Sequence, residues 1–192
     1  MKKTVLYLFI ATLSFCAQAQ TTWKTDPMHS RAGFTIDHLG ITDVTGFFEK
    51  FDVTVTTSKS DMSDGKFEFS ADVNSINTSV KMRDDHLKSP DFFDAEKNPK
   101  ITFSSTSLKK VSTNKYKVTG NLTLHGVTKS VTLDLYYRGT AKNPAANNDE
   151  VAGIQVTGVI KRSDFNLGTK FPAPMLSDEV VIKVDGEYAK AK

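Results

Sequence analysis

Glu179-Val180-Val181-Ile182-Lys183-Val184-Asp185-Gly186-Glu187-Tyr188 is the stretch that decides the fold. Val180, Ile182, Val184 and Tyr188 alternate with Glu179, Lys183, Asp185 and Glu187. Successive side chains of a strand point to opposite faces, so this segment has one wet face and one apolar face. The same rhythm recurs upstream, predicting strands near Ser30–His38, Gly46–Thr56, Lys66–Val73 and Lys100–Ser107. Three more are predicted near Lys115–Leu124, Lys129–Gly139 and Val151–Arg162. Asp64-Gly65, His125-Gly126 and the loop from Asn143-Pro144 to Asn148 punctuate the runs. So many short antiparallel strands can bury their apolar faces in a sandwich or a closed barrel, and the fold class is mainly β.

Two segments interrupt the pattern. Asn77 to Lys88 reads as a short helix capped by Asn77 or Thr78, with Pro90 beyond its end. Ser89 to Asp94 reads as one further tight turn that aims Phe92 and Phe93 back at the barrel. Ser163 to Ser177 contains Pro172 and Pro174, which keep it out of a central strand. No linker, internal repeat or low-complexity tract divides the chain, so residues 20–192 form one domain.

The N-terminus carries Lys2 and Lys3, an uncharged apolar run from Val5 to Cys16, and then Ala17-Gln18-Ala19. The run is short for a bilayer span, and the small residues suit a signal peptidase. Residues 1–19 are therefore read as a signal peptide cleaved after Ala19, leaving Gln20 first. A lipoprotein reading through Cys16 is weaker because bulky Phe15 precedes it. Loss of Lys2 and Lys3 leaves 23 basic against 22 acidic residues, a net charge of +1. That balance lacks the concentrated basic stripe of a nucleic-acid binder. Cys16 leaves with the signal, so no disulfide staples the domain and its own core must hold it.

Projecting the alternation assigns an inward set. It comprises Phe34, Ile36, His38, Phe47, Phe51, Phe69 and Phe103 in the first half, and Leu122, Leu124, Leu133, Ile154, Val156, Gly158 and Ile182 in the second. An eight-stranded barrel is wide enough either to be plugged by side chains or to hold one small ligand. Ala32, Ala71, Ser105, Gly120, Gly158 and Gly186 also fall inward. Small residues there fit a lumen that something must enter, or bend points that curl the sheet.

The four histidines form no HxH or HExxH pattern and have no thiol beside them, so no metal is expected. His38 falls inward at a strand end beside an opening, while His29 and His125 flank strands as turn or edge residues. Arg83, Asp84 and His86 lie on the short helix. Arg83 has a donor fork suited to a phosphate or quinone oxygen, or to an ion pair with Asp91 or Asp94 that pins the helix. Arg162 and Asp164 read as a structural ion pair. Ser30, Ser89 and Ser163 lack nucleophile-elbow glycines, and no catalytic set emerges.

Several motifs then coincide: Trp23…Asp26-x-x-His29-Ser30…Phe34-x-Ile36-x-His38, and Gly46-Phe47-Phe48-x-x-Phe51. They continue with Arg83-x-x-His86-Leu87-x-Ser89-x-Asp91-Phe92-Phe93-Asp94 and Pro99-x-Ile101-x-Phe103. Gly120-x-Leu122-Thr123-Leu124-His125-Gly126-Val127-Thr128-Lys129 and Arg162-x-Asp164-Phe165 complete them. From Trp23 to Tyr188 the chain resembles the YceI family of periplasmic polyisoprenoid-binding proteins. It departs where Asn98 stands for a frequent aromatic and Asn166 for a frequent glycine.

The resemblance implies a single eight-stranded lipocalin-like barrel whose interior shields a long apolar lipid, either a polyisoprenoid, a polyprenyl phosphate or an isoprenoid quinone. Burying one methylene is worth about 0.8 kcal/mol, so a five-carbon unit contributes roughly 3 kcal/mol before ordering costs. A membrane competes for the same chain, which suits a carrier better than a sink. Phe92 and Phe93 join the inward set as ligand contacts, with Arg83 and His86 as candidate headgroup contacts. No other cofactor and no nucleic-acid partner are expected, while transient membrane contact and a homodimer are left open. Two alternatives stand beside the carrier: an isoprenoid-modifying enzyme using His38 with Arg83 or Asp84, and a ligand-free protective barrel with a solid core.

Overall fold

The computed structural model describes residues 19–191, so the signal-peptide reading falls, apart from Ala19, outside the described residues. The strands are β1 (Thr21–Thr25), β2 (Arg31–His38), β3 (Thr42–Phe48), β4 (Phe51–Thr57), β5 (Lys66–Asp72) and β6 (Ile76–Asn77). Helix α1 (Lys81–Lys88) follows, then β7 (Lys100–Ser112), β8 (Lys115–Leu124), β9 (Val127–Asn143), β10 (Asp149–Lys161) and β11 (Leu176–Lys190). β1 and β2 run as one line along β11, and β3 and β4 form a second bent line. With the other long strands they close the expected eight-stranded antiparallel barrel. Closure comes from Trp23 opposite Lys190 and Ala32 opposite Val184. The Asp26–Ser30 connection stays tied to the same edge, where Asp26 N–H donates to the Glu187 carbonyl at 2.9 Å.

The predicted single strand Gly46–Thr56 is broken at Glu49-Lys50. There Glu49 N–H donates to the Ser75 carbonyl and Lys50 N–H to Ser75 Oγ, both at 3.0 Å. The chain bends there and the alternation resumes out of phase, with even-numbered residues facing in before the break and odd-numbered ones after it. Before the break Gly46 and Phe48 are buried, and after it Val53 and Val55 are. Phe47 therefore points away from the interior and lies under the Arg31 guanidinium, 3.9 Å from its ring centre. Its assignment to the inward set is corrected to Phe48.

The helix begins at Lys81 rather than Asn77, because Ile76 and Asn77 pair with Phe48 and Phe47 as β6. Ser79 then turns the chain with φ +65°. Thr78 does not cap α1; its N–H and Oγ1 both donate to Asp84 Oδ1, at 2.8 and 2.6 Å. The Ser163–Ser177 segment stays out of the sheet until Leu176, where β11 starts ahead of the predicted Glu179 and bulges before Val180.

The barrel is filled unevenly along its axis. At one end Tyr116, Tyr188, Met62, Trp23 and Tyr137 are buried against one another's strands. Tyr116 Oη donates to the Asp61 carbonyl at 2.5 Å, tying the β4–β5 loop over this end. Within that loop Asp64 accepts from Thr57 Oγ1 at 2.5 Å and from Ser58 N–H at 3.1 Å. Lys110 lies 2.8 Å from Asp61 and, with Ser63, lowers its carboxyl to about 2. Burial pushes the Tyr137 and Tyr188 hydroxyls up.

Candidate functional site

Beyond the aromatic plug the barrel holds a cavity of about 480 Å³. Ligand pockets commonly span roughly 300–1,000 Å³. β2 supplies Phe34 and Ile36, with His38 exposed at the rim. Phe69 and Phe103 line the next wall, followed by Leu122, Leu124 and Leu133. Ile154, Val156 and Ile182 complete the circuit. Phe92 and Phe93 fold back from the turn after α1 and also line it, Phe93 meeting Phe48 edge-on at 6.2 Å.

Two further members of the inward set lie off the cavity. Phe51 is on the inner face but packs its ring 6.3 Å from Phe69, away from the open space. Gly158 is on the inner face, opposite Ile182, but does not line the cavity, because Leu133 Cδ2 lies 2.4 Å from where a Cβ would stand and covers it. Gly120 is covered in the same way by the Phe103 ring, at 2.4 Å. These glycines leave room for a neighbour's large side chain to lie over them on the inner face.

α1 lies across the mouth. Arg83 pairs with neither Asp91 nor Asp94: its Nε donates to Thr78 Oγ1 at 2.8 Å and its Nη2 to the Thr78 carbonyl at 2.9 Å. Nη1 has no hydrogen-bond partner among the described residues, and the side chain lines the cavity. His86 Nε2 lies 3.2 Å from Asp91 Oδ2. Its ring stands edge-on to Phe92 and Phe171, which stack on each other at 4.9 Å. Lys170 Nζ reaches Asp91 Oδ1 at 2.5 Å, so one carboxylate joins α1, the following turn and the Ser163–Ser177 segment.

Arg162 overturns its sequence reading most sharply. It forms no pair with Asp164 and is only 5% exposed. Its guanidinium donates to the backbone carbonyls of Ser177 (2.9 Å), Leu167 (3.0 Å), Gly168 (2.7 Å) and Leu176 (3.1 Å), and to that of Phe171. The planar fork, with five N–H donors, suits a ring of carbonyls. The segment so gathered places Leu167, Phe171, Met175 and Leu176 around the mouth. Sequence reasoning missed these four, together with Thr78 and Val44, because no periodicity marks an irregular loop or a strand end.

One polar cluster lies elsewhere. Asp26, His29 and Glu187 bring one ligand atom each within 4.8 Å of one another beside the β1–β2 connection. Asp26 Oδ2 is 2.8 Å from His29 Nδ1, which raises the imidazole pKa and lowers the carboxyl. Glu187 is remote from the other two in sequence, so their spacing could not announce the group.

The match to a YceI-like domain runs over residues 23–188, nearly the whole described chain. The chain belongs to the YceI-like family. Protein YceI of Salmonella arizonae is 36% identical over 194 residues, covering 99% of this chain and all of that one. Among solved structures, the Campylobacter jejuni YceI protein is 33% identical with a TM-score of 0.74, covering 82% of this chain and 91% of that one. A polyisoprenoid binding domain from Saccharophagus degradans shares the fold at TM-score 0.67 and 16% identity, covering 88% of this chain and 98% of its own. The two departures from the YceI-like pattern fit locally. Asn166 takes φ +54°, a left-handed conformation natural to glycine and tolerated by Asn. Asn98 Nδ2 donates to the Phe93 carbonyl at 3.3 Å, holding the turn that brings Phe93 inward.

Proposed function

We propose that this protein binds a long apolar lipid, of polyisoprenoid or isoprenoid-quinone type, inside its barrel and carries it in the periplasm. The carrying observation is a cavity of about 480 Å³ whose walls are almost wholly aliphatic and aromatic and which is plugged at one end only. An empty apolar space of that size loses dispersion contacts and gains nothing unless something fills it. The polyisoprenoid binding domain with the same fold supports the choice of lipid class. A non-enzymatic role fits the polar groups at the mouth: Arg83 and Asp84 are both engaged by Thr78, and Arg162 by carbonyls.

The test is native mass spectrometry on protein recovered from its own envelope fraction. The expected result is a bound isoprenoid-type lipid that organic solvent removes and that detergent micelles of polyprenyl phosphate or quinone restore. Protein that arrives empty and takes up neither would sink the proposal. Arg83→Ala and His86→Ala are expected to weaken phosphorylated or quinone lipids more than plain hydrocarbons, since each would hold a headgroup. N-terminal sequencing of the same sample is expected to begin at Gln20.

A further inference from the structure

The exposed large apolar side chains are distributed unevenly. Ile41 is 80% exposed and Leu39 49%, both in the β2–β3 turn. Met82 is 81% and Val80 43% exposed, at the start of α1, and Met175 is 46% exposed in the segment gathered by Arg162. These three pieces are remote in sequence and meet around the mouth. Leu39 N–H donates to the Met175 carbonyl at 3.1 Å. β6 runs antiparallel to β3, from Ile76 opposite Phe48 towards the β2–β3 turn, and so delivers Val80 to the same end. His38, Thr78, Arg83 and Met175 line the cavity immediately inside this rim. Clustered exposed apolar surface is unfavourable in water and marks a contact.

We infer that this rim is a membrane-docking face: Leu39, Ile41, Val80, Met82 and Met175 dip into a lipid surface so that cargo passes between bilayer and cavity without crossing water. The inference rests on the lipid-carrying reading above and deepens it by assigning the entrance and the partner. A lipid surface is the occupant because the rim is continuous with an apolar cavity, whose contents are soluble only in another apolar phase. The neighbouring charges point the same way. Lys81 is 2.5 Å from Asp85 and Lys170 2.5 Å from Asp91, so the rim offers matched pairs instead of a field of one sign. Docking driven by apolar burial is therefore insensitive to salt and does not require anionic lipid.

The experiment is flotation with phosphatidylcholine vesicles, together with the rate at which the protein exchanges a fluorescent polyprenyl lipid between vesicles. The double variant Ile41→Asp/Met82→Asp is compared with Met28→Asp/Val111→Asp, whose exposed apolar side chains (85% and 61%) stand away from the mouth. Because Val5 to Cys16 is itself apolar, all forms are recovered from the envelope and read as ratios to wild type. The rim variant is expected to lose vesicle binding and exchange by about tenfold or more, with loading from detergent micelles intact. The second variant is expected to match wild type, and raising salt from about 0.05 to 0.5 M is expected to leave wild-type flotation unchanged. Melting curves check folding; should the Asp forms melt early, Ile41→Ser/Met82→Gln removes the apolar surface without adding charge.

Equal losses in both variants, or rim-variant flotation like wild type, would overturn the inference. So would light scattering that shows a wild-type dimer split by the rim variant, since the face would then join two copies. If micelle loading succeeds while the rim variant floats normally, docking fails and the lipid-carrying reading stands. If loading fails in wild type while rim-dependent flotation persists, the carrier reading fails and docking stands.

Discussion

At one end of the barrel Tyr116, Tyr137, Tyr188 and Met62 fill the space between strands, whereas at the other Phe34, Ile36, Val180 and Ile182 stay only partly buried around open volume. β8, β10 and β11 run through both regions, so the difference does not come from backbone architecture. It comes from side-chain size and from what covers each end. The plug is covered by a short polar loop locked through Asp64, and the mouth by a helix and an irregular segment locked through Thr78, Asp91 and Arg162. One end is built to hold the barrel together and the other to stay available.

This division can be broken most directly at the plug. Tyr116→Ala is expected to cost about 3–5 kcal/mol in denaturant melts of lipid-free protein, since it removes a buried ring and the bond to the Asp61 carbonyl. Phe34→Ala at the mouth is expected to cost about 1–2 kcal/mol and to abolish most lipid uptake. Similar costs at the two positions would mean that the interior is one packed core. Arg162→Met comes next, at about 3 kcal/mol, because several buried carbonyls lose their donor. Hydrogen exchange is expected to show the amides of Leu167 and Phe171 losing protection while those of Tyr116 and Tyr188 keep theirs.

A smaller effect belongs to Gly158→Ala, about 1 kcal/mol, because the new Cβ meets only the far end of Leu133 and drives it off its rotamer into the cavity. Adding Leu133→Ala should make the glycine replacement nearly neutral, a coupling that a double-mutant cycle measures. The smallest is the pH response of the plug's cover. Hydrogen bonds from Ser58 and Thr57 hold the Asp64 carboxyl below its ordinary value of 3.8. Its contribution is therefore complete above about pH 4 and is lost as pH falls through the lowered folded value. Urea melts from pH 5 downward are expected to show an acid loss that is smaller in Asp64→Asn, the remainder belonging to other lowered carboxyls such as Asp61.

What the sequence reveals follows this same division. The strands of the plug and of the cavity's long walls alternate cleanly around Leu122, Leu133, Ile154 and Ile182, so these could be placed inward from residue order alone. The alternation fails where a strand is broken, and just before the Glu49-Lys50 break the Phe47-Phe48 pair offers an aromatic to either face of the sheet. The mouth is legible only in part because its residues sit where no period runs. His86 and Arg83 stand out by type, but Thr78 as the anchor of Arg83 depends on a positive-φ turn at Ser79. Arg162 looks like half of an ion pair because Asp164 is two residues away. The carbonyls it serves have no signature in a sequence, every residue having one.

β11 pairs with β10 along one edge and, along the other, with β2 and then β1. A strand near the end of the chain is thus the keystone for strands at its beginning. Until residues 176–190 arrive, β1 and β2 expose bare edges towards the missing strand, and no partly made chain can shut the barrel. Pairings across such sequence distances also form slowly. For a chain exported as proposed here, that lateness keeps the polypeptide threadable while it crosses the membrane, and the barrel shuts only once the whole length is on the far side.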